Sequence, residues 1–315
     1  MDMKKVAIVT LSYNNEKDTA ECIESINNLN TSTFDLSVIV VDNGSNSKFN
    51  PSAKIRARIQ NSKLNKGQLN IIRSEENLGF AEGNNIGIRY SLEEGAEYIL
   101  LLNNDTLIDK NLIVELIKTI ESSDKIGIVV PKIYFAPGYE FHKDRYEEKE
   151  KGKVIWYAGG EIDWKNVIGH HRGVDEVDHN QFDKTEETEF ATGCCMLIKK
   201  EVFEKIGAFD KNYYLYYEDS DFSERTKKAG YKILFNPKAI VWHKNAGSAG
   251  GSGSKLQDYY ITRNRILFSI KYAPLRSKLA VLKESVKILL KGRDWQRRAV
   301  ADFYFGKLGK GSYEE

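Results

Sequence analysis

The sequence predicts an α/β fold: a mostly parallel central sheet with helices on both faces, followed by a C-terminal helical extension. Three observations lead there. Apolar runs of strand length alternate with segments of helical spacing over about the first 130 residues, the signature of strand–helix–strand units. The run Tyr98-Ile99-Leu100-Leu101-Leu102 has apolar or aromatic residues at every position, as expected of a strand buried on both faces. Late in the chain, Leu279, Leu282, Val286 and Leu289 recur at steps of three and four, which is helical spacing.

In chain order, residues 6–10 read as a first buried strand and 19–29 as a helix with Cys22, Ile23, Ile26 and Leu29 on one side. A second strand, 36–41, ends at Asp42-Asn43-Gly44-Ser45, and 69–73 is a short third. The stretch Asn77-Leu78-Gly79-Phe80 leads into a helix over 81–94. The fourth strand, 98–102, precedes a helix over 112–122 and a fifth strand, 126–130, which Pro131 closes. Residues 137–189 are charged, with turns and short strands at 156–160 and 169–173, and His142, His170, His171 and His179 read as surface residues. A strand over 192–199 runs into a short helix, 200–206; a helix over 219–229 stops at Gly230, and strand-like runs follow at 233–235 and 239–242. The Gly/Ser-rich segment 246–253 reads as a flexible linker or a closing loop.

Composition narrows the function classes. With 315 residues, 41% hydrophobic and 29% charged, the chain can build a full core in one large or two smaller domains. Cys22, Cys194 and Cys195 form neither a disulfide framework nor a zinc spacing and read as reduced thiols. The first apolar run is too short for a signal peptide, and none is long enough to span a bilayer, so a cytoplasmic location is expected. The net charge of +2 is unevenly placed: from Lys255 onward 14 basic residues face 6 acidic ones, while the remainder holds 33 basic and 39 acidic. A basic tail on an acidic body indicates an anionic partner or surface, or else a solvated helical face. No nucleic-acid partner is expected.

Polar groups cluster where the predicted strands leave the core. Thr10-Leu11-Ser12-Tyr13 follows the first strand, Asp42-Asn43-Gly44-Ser45 the second and Asn103-Asn104-Asp105 the fourth. Ligands of open α/β sheets bind beyond the carboxyl ends of the strands, so these groups would converge on one edge, with Glu218-Asp219 as a fourth. An aspartate flanked by amide oxygens, as Asp105 is, suits a hard divalent cation. The first strand–helix turn has no glycine, which argues against a dinucleotide fold, and no Walker loop follows any strand.

Taken together and in order, several blocks resemble one family. They are Val9-Thr10-Leu11-Ser12-Tyr13-Asn14, Val40-Val41-Asp42-Asn43-Gly44-Ser45, Asn77-Leu78-Gly79-Phe80-Ala81 with Gly83-Asn84-Asn85, Leu101-Leu102-Asn103-Asn104-Asp105, Thr192-Gly193, Gly207-Ala208-Phe209-Asp210, Tyr217-Glu218-Asp219-Ser220-Asp221, and Pro237 through His243. Over roughly residues 4–265 the chain resembles family 2 inverting glycosyltransferases of the GT-A nucleotide-sugar fold, nearest the bacterial rhamnosyltransferase-like branch. The resemblance implies a catalytic domain over 1–254, with a nucleotide-binding half (1–130) and an acceptor half (131–254), followed by a basic helical region over 255–315. It implies transfer of a sugar, with inversion, from a nucleoside diphosphate sugar (dTDP-rhamnose or a UDP-hexose) to a glycan or polyprenyl-linked acceptor in bacterial surface polysaccharide synthesis.

The resemblance also assigns roles. Asp219 would be the base, with Glu218 orienting it or touching the acceptor. Asp105 would hold Mg²⁺ or Mn²⁺, joined by His243 on the metal or the diphosphate. Asn103-Asn104 stands where the family has the first part of its Asp-x-Asp motif, so one carboxylate remains and the diphosphate would supply most other ligands. Asp42 would accept a hydrogen bond from a pyrimidine ring or close its own turn. Thr10, Leu11, Ser12 and Tyr13 would line the donor site. Asn77, Gly79, Gly83 and Asn84 would bring a helix start, with free N–H groups, to the nucleotide; the two glycines equally suit close packing. Arg263 or Arg265, in the pattern Tyr259-Tyr260-x-x-Arg263-Asn264, would meet the diphosphate as a fork donor. The competing function is a non-catalytic glycan-binding or assembly subunit on the same fold, which would carry an eroded site. The basic region would hold an anionic membrane, form a homodimer interface or pack on the catalytic domain.

Overall fold

A computed structural model describes residues 3–50, 69–244 and 253–314; most of the Gly/Ser segment 246–253 lies outside them. The sheet grows outward from β1 (Lys4–Ser12), which pairs in parallel with β2 (Phe34–Asn43) on one side and β4 (Tyr98–Leu102) on the other. Beyond β2, β3 (Leu69–Ser74) continues the parallel run. All five β4 residues are buried, so past the Tyr98 hydroxyl, which donates to Glu121, this strand crosses the core with no polar side chain until Asn103.

On the far side of β4 the direction reverses. Antiparallel β11 (Cys195–Lys199) is inserted between β4 and β6 (Ile126–Phe135), and β12 (Lys232–His243) runs parallel to β6. The two-residue β10 (Glu186–Glu187) completes the order β10–β12–β6–β11–β4–β1–β2–β3, with β5 (Thr106–Ile108) on β12 and β7 (Ile155–Tyr157) on β6. Six of these eight strands run the same way, as a mostly parallel sheet requires. A separate hairpin joins β8 (Gly160–Asp163) to β9 (Ile168–His171).

The predicted closure of the fifth strand at Pro131 is incorrect. β6 continues to Phe135, and the runs 233–235 and 239–242 are one strand, β12. Pro131 lies opposite Asn236, where the register slips from Asn236 to Ile240. A proline without an N–H is tolerated at such an irregularity because the ladder is already interrupted there.

Alternate β1 side chains receive a helix on each face. Ser12 meets Thr19 of α1 (Glu16–Ile26) through their hydroxyls, 2.8 Å apart. On the opposite face, Val9 and Leu11 pack against Gly87 and Gly83 of α2 (Gly79–Glu93). The helix α3 (Leu112–Ile120) packs on β6 and β12, and α4 (Lys200–Ile206) and α5 (Glu218–Lys228) follow. Three helices end the chain: α6 (Lys255–Tyr272), α7 (Leu275–Lys291) and α8 (Asp294–Tyr304). Ile266, Phe268, Val281 and Val300 join the main apolar cluster, so these helices share the core of the preceding residues.

The α2–β1 contact has no slack. A Cβ on Gly87 would lie 2.3 Å from Val9 Cγ1, and overpacking of this kind costs about 1–3 kcal/mol. Gly87→Ala is therefore expected to lower the urea midpoint without changing the slope of the transition.

Candidate active site

The strand ends predicted to converge do so, and hydrogen bonds tie them together. Thr19 Oγ1 donates to Asn15 O at 2.7 Å and accepts from Asn104 Nδ2 at 2.8 Å. With its proton committed, Thr19 accepts from Ser12 Oγ as well. One helix hydroxyl thus joins the end of β1 to the end of β4, a role that its place in the sequence, at a helix start, does not signal. The neighbouring Thr10 hydroxyl is buried without a hydrogen-bond partner. The loop after β1 meets the loop after β2, with Asn14 N donating to Ser45 Oγ and Asn46 N to Asn14 Oδ1; Tyr13 precedes this junction.

Asp42 is buried, and both its oxygens hold the turn. Oδ1 accepts from Ser45 N at 3.1 Å, and Oδ2 accepts from Phe49 N and from the Arg73 guanidinium. Burial alone would raise its pKa, but these donors outweigh it and hold the carboxyl below the ordinary value of 3.8.

The expectation of open N–H groups at the start of α2 is not met. Leu78 N donates to Asn43 Oδ1, Gly79 N to Asn77 Oδ1, and Phe80 N and Ala81 N both to Tyr214 O. The donors of the first turn are satisfied from within the chain, so no anion cradle is presented. Gly79 adopts φ +78°, and a Cβ there would reach 2.5 Å from the Tyr214 ring. Gly83 packs on Leu11, and the amide of Asn84 donates to Phe80 O. This stretch fastens β2 and α2 to the aromatic loop 213–217.

That loop is held in an uncommon conformation. Tyr214, Tyr216 and Tyr217 have φ of 64°, 67° and 71°, each costing on the order of 1–3 kcal/mol for a side chain of this kind. Arg263 and Asn264 of α6, both 0% exposed, hold it. Arg263 Nη2 donates to Asn212 O and Tyr213 O, and Asn264 Nδ2 reaches Tyr213 O, Leu215 O and Tyr216 O at 2.7–2.8 Å. Here the reading of Arg263 as a diphosphate donor is corrected, because its fork is spent on main-chain carbonyls. Arg265 is also committed, to Glu284 and Asn166 O.

The loop delivers Glu218 and Asp219 at the N-terminus of α5. Asp219 Oδ2 accepts from Gly193 N at 3.1 Å and Oδ1 from Ser220 N at 2.7 Å. Burial raises its pKa above 3.8 against these opposing bonds. Glu218 is more extreme: its Oε2 is buried with no partner, and burial, reinforced by the adjacent Asp219 charge, holds its pKa well above 4.5. The two neighbouring carboxyls are therefore unequal: both oxygens of Asp219 accept main-chain N–H groups, whereas Oε2 of Glu218 accepts none.

Strand β11 links this end to the β4 end, since Asn103 N donates to Cys194 O, one residue past Gly193. The antiparallel β5–β12 pairing sets His243 beside Asp105, with Nε2 and Oδ1 3.1 Å apart. Both side chains are nearly buried, and His243 Nδ1 has no partner. The next residue, Lys244, is 5% exposed and pairs with Asp18 and Glu21 of α1. Trp156 sets its edge against His243, ring centroids 4.6 Å apart, and packs on His171 at 4.3 Å. His171 is thus not the surface residue the sequence indicated: burial against the rings of Trp156, Tyr157 and Phe190 drives its pKa down to about 4.

Folding takes up a proton at Glu218 once the pH exceeds the ordinary value of 4.5. Stability must then fall as pH rises from 4.5 towards the raised native pKa. Glu218→Gln removes this dependence: the variant should melt higher than the parent at pH 7, by about 2–4 °C per kcal/mol relieved, and the two should converge below pH 4.5, as thermal scans across pH would show. Asn264→Ala takes the donor from Leu215 O and Tyr216 O and leaves Tyr213 O to Arg263 alone; it should cost about 2 kcal/mol or more, measured by chemical denaturation, with loss of the tyrosine near-UV signal.

Known proteins resemble this chain in sequence and fold. The model of glycosyl transferase family 2 matches residues 7–207, and that of the N-terminal domain of galactosyltransferase matches 176–244. The chain is 28% identical to the low-salt glycan biosynthesis hexosyltransferase Agl10 of Haloferax volcanii, over 84% of this chain and 75% of that protein. It is 26% identical to the dTDP-rhamnosyl transferase RfbF of Shigella flexneri, over 76% and 72%. Among solved structures it resembles GalNAc-T7 with UDP, GalNAc and Mn²⁺ at a TM-score of 0.60, with 16% identity over 90% of this chain and about half (54%) of that one. It also resembles S. aureus TarS 1-349 with UDP-GlcNAc, at 0.55 and 15% over 94% and 78%. The fold is GT-A, and the chain belongs to glycosyl transferase family 2, a family of glycosyltransferase enzymes.

Proposed function

We propose that the protein transfers a sugar, with inversion, from a nucleoside diphosphate sugar to a glycan or polyprenyl-linked acceptor in glycan biosynthesis. The observation that carries this reading is the unequal carboxyl pair at the start of α5. Asp219 is oriented by the Gly193 and Ser220 N–H groups with a raised pKa, which suits a base that must take a proton and keep it through the displacement. The acceptor O–H proton passes to Asp219, the acceptor oxygen bonds to the anomeric carbon, and the bond from that carbon to the diphosphate breaks. Glu218, whose pKa burial raises, would orient Asp219 or touch the acceptor.

A divalent cation fits the other end. Asp105 Oδ1 and His243 Nε2 are 3.1 Å apart, close to the ~3 Å between adjacent ligands of an octahedral ion at 2.0–2.1 Å. No cluster of three or more His, Cys, Asp or Glu suited to a metal exists among the described residues, so Asp105 and His243 would hold the ion together with the donor diphosphate. When bound, Mg²⁺ or Mn²⁺ neutralises charge on the departing diphosphate. The similar GalNAc-T7, solved with UDP, GalNAc and Mn²⁺, supports divalent metal use. Asp42 and its turn, with Thr10 to Tyr13, are assigned to the nucleoside end. For the sugar, similarity to the dTDP-rhamnosyl transferase of Shigella flexneri supports dTDP-rhamnose, and similarity to the hexosyltransferase of Haloferax volcanii supports a hexose donor. The N-acetylglucosaminyl-diphospho-decaprenol L-rhamnosyltransferase of Mycobacterium tuberculosis shares 39% identity over 59 residues, 19% of each chain, which supports a lipid-linked acceptor.

Asp219→Asn should lower turnover about 10²–10⁴-fold while donor affinity, measured by calorimetry with Mn²⁺, stays within about threefold of the parent. Unchanged turnover would overturn the assignment of the base. Asp105→Asn should instead weaken Mn²⁺-dependent donor binding.

A further inference from the structure

We propose that the outward face of α7, together with Phe305, is an anchor that lies in the headgroup region of an anionic lipid surface. At 100° per residue, Leu275, Leu279, Val286 and Leu290 fall within about 60° of arc. With Phe305 they are 51–80% exposed. The opposite side of α7, with Ser277, Val281 and Ser285, is the one buried on the protein. The helix therefore has two apolar-compatible faces, and the fold uses the one made of smaller residues. Tyr304, whose hydroxyl meets Ser285 Oγ at 2.8 Å, ties the end of α8 to α7, and Phe305 follows it, exposed.

Charge selects the occupant. Of the ionisable residues on α7, five are basic, and the single acid, Glu284, is paired with Arg265. Arg276, Lys283 and Lys287 border one edge of the leucine row and Lys278 the other. No ion pair among the described residues engages these four. Leucines flanked by unpaired cations are what an interfacial helix presents: the apolar side chains enter the acyl boundary, and the lysines reach the phosphates. A second copy of the chain is disfavoured on the same ground. A two-fold contact through this face would set its lysines against their own copies without a compensating acid. Among the described residues no helix is long and apolar enough to cross a membrane, so contact through α7 would be peripheral.

The proposal goes beyond the transfer reaction, and its test needs no donor. The full chain is floated with vesicles of phosphatidylcholine alone and of phosphatidylcholine with phosphatidylglycerol. Expected is binding to the anionic vesicles that weakens at ~0.5 M salt, and loss of at least about tenfold in both Leu279→Glu/Leu290→Glu and Lys283→Glu/Lys287→Glu. All four positions are exposed, so both variants should keep the parental melting temperature. The proposal is overturned if the parent ignores anionic vesicles, or if both variants bind as the parent does. It is also overturned if light scattering finds a lipid-free dimer that Leu279→Glu/Leu290→Glu dissolves, which would assign the face to a second copy.

Discussion

The site depends on one constraint: two adjacent polar residues on α6 hold five residues of backbone in a conformation that backbone would not adopt alone. Three tyrosines with positive φ cost several kcal/mol together. Asn264 shares its two amide hydrogens among three carbonyls, and Arg263 takes Asn212 O and Tyr213 O. Each bond contributes on the order of 1 kcal/mol, enough in sum to offset the strain. The clamp is itself buttressed: Tyr260 OH donates to Lys310 O, Gly309 N to Asn212 O, and Tyr259 pairs with Asp302. The last helices thus reach the loop that presents the carboxyl pair, which explains why they share a core with the sheet.

Because the loop is fixed, the environments of Glu218 and Asp219 can differ sharply although the residues are neighbours. Asp219 is aimed at Gly193 and receives two main-chain donors; Glu218 receives none at Oε2. Their inequality comes from direction, since both begin the same helix. At the other end of the site the same economy holds, with one carboxylate and one imidazole held together by the meeting of β5 and β12.

Sequence patterning revealed most of the architecture, because buried parallel strands are apolar throughout and their ends are abrupt. The β4–Asn103 junction is the clearest case, and the residues following β1, β2 and β4 do lie at one sheet edge. What patterning could not reveal depends on contacts distant in the chain. Asn77 to Ala81 reads as an open helix start, yet two of its donors, Phe80 N and Ala81 N, are taken by Tyr214, more than 130 residues away. Arg263 reads as a phosphate donor because nothing local shows that its acceptors are main-chain carbonyls of another element. Thr19 looks like any first-turn threonine until Asn104 is brought onto it. Pro131 looks like a strand terminator because the β12 irregularity that accommodates it lies a hundred residues on. His171 sits in a charged stretch, but Trp156 covers it.

The antiparallel insertion of β11 orders events during synthesis. Strands β1 to β4 can pair as soon as residue 102 has emerged, yet the outer edge of β4, five apolar residues long, is covered only by β11, nearly a hundred residues later. Until then the nascent chain displays an open, hydrophobic strand edge, the feature most prone to pairing with another chain. Slowing translation before residue 199 should therefore affect yield through aggregation more than the same delay placed after it.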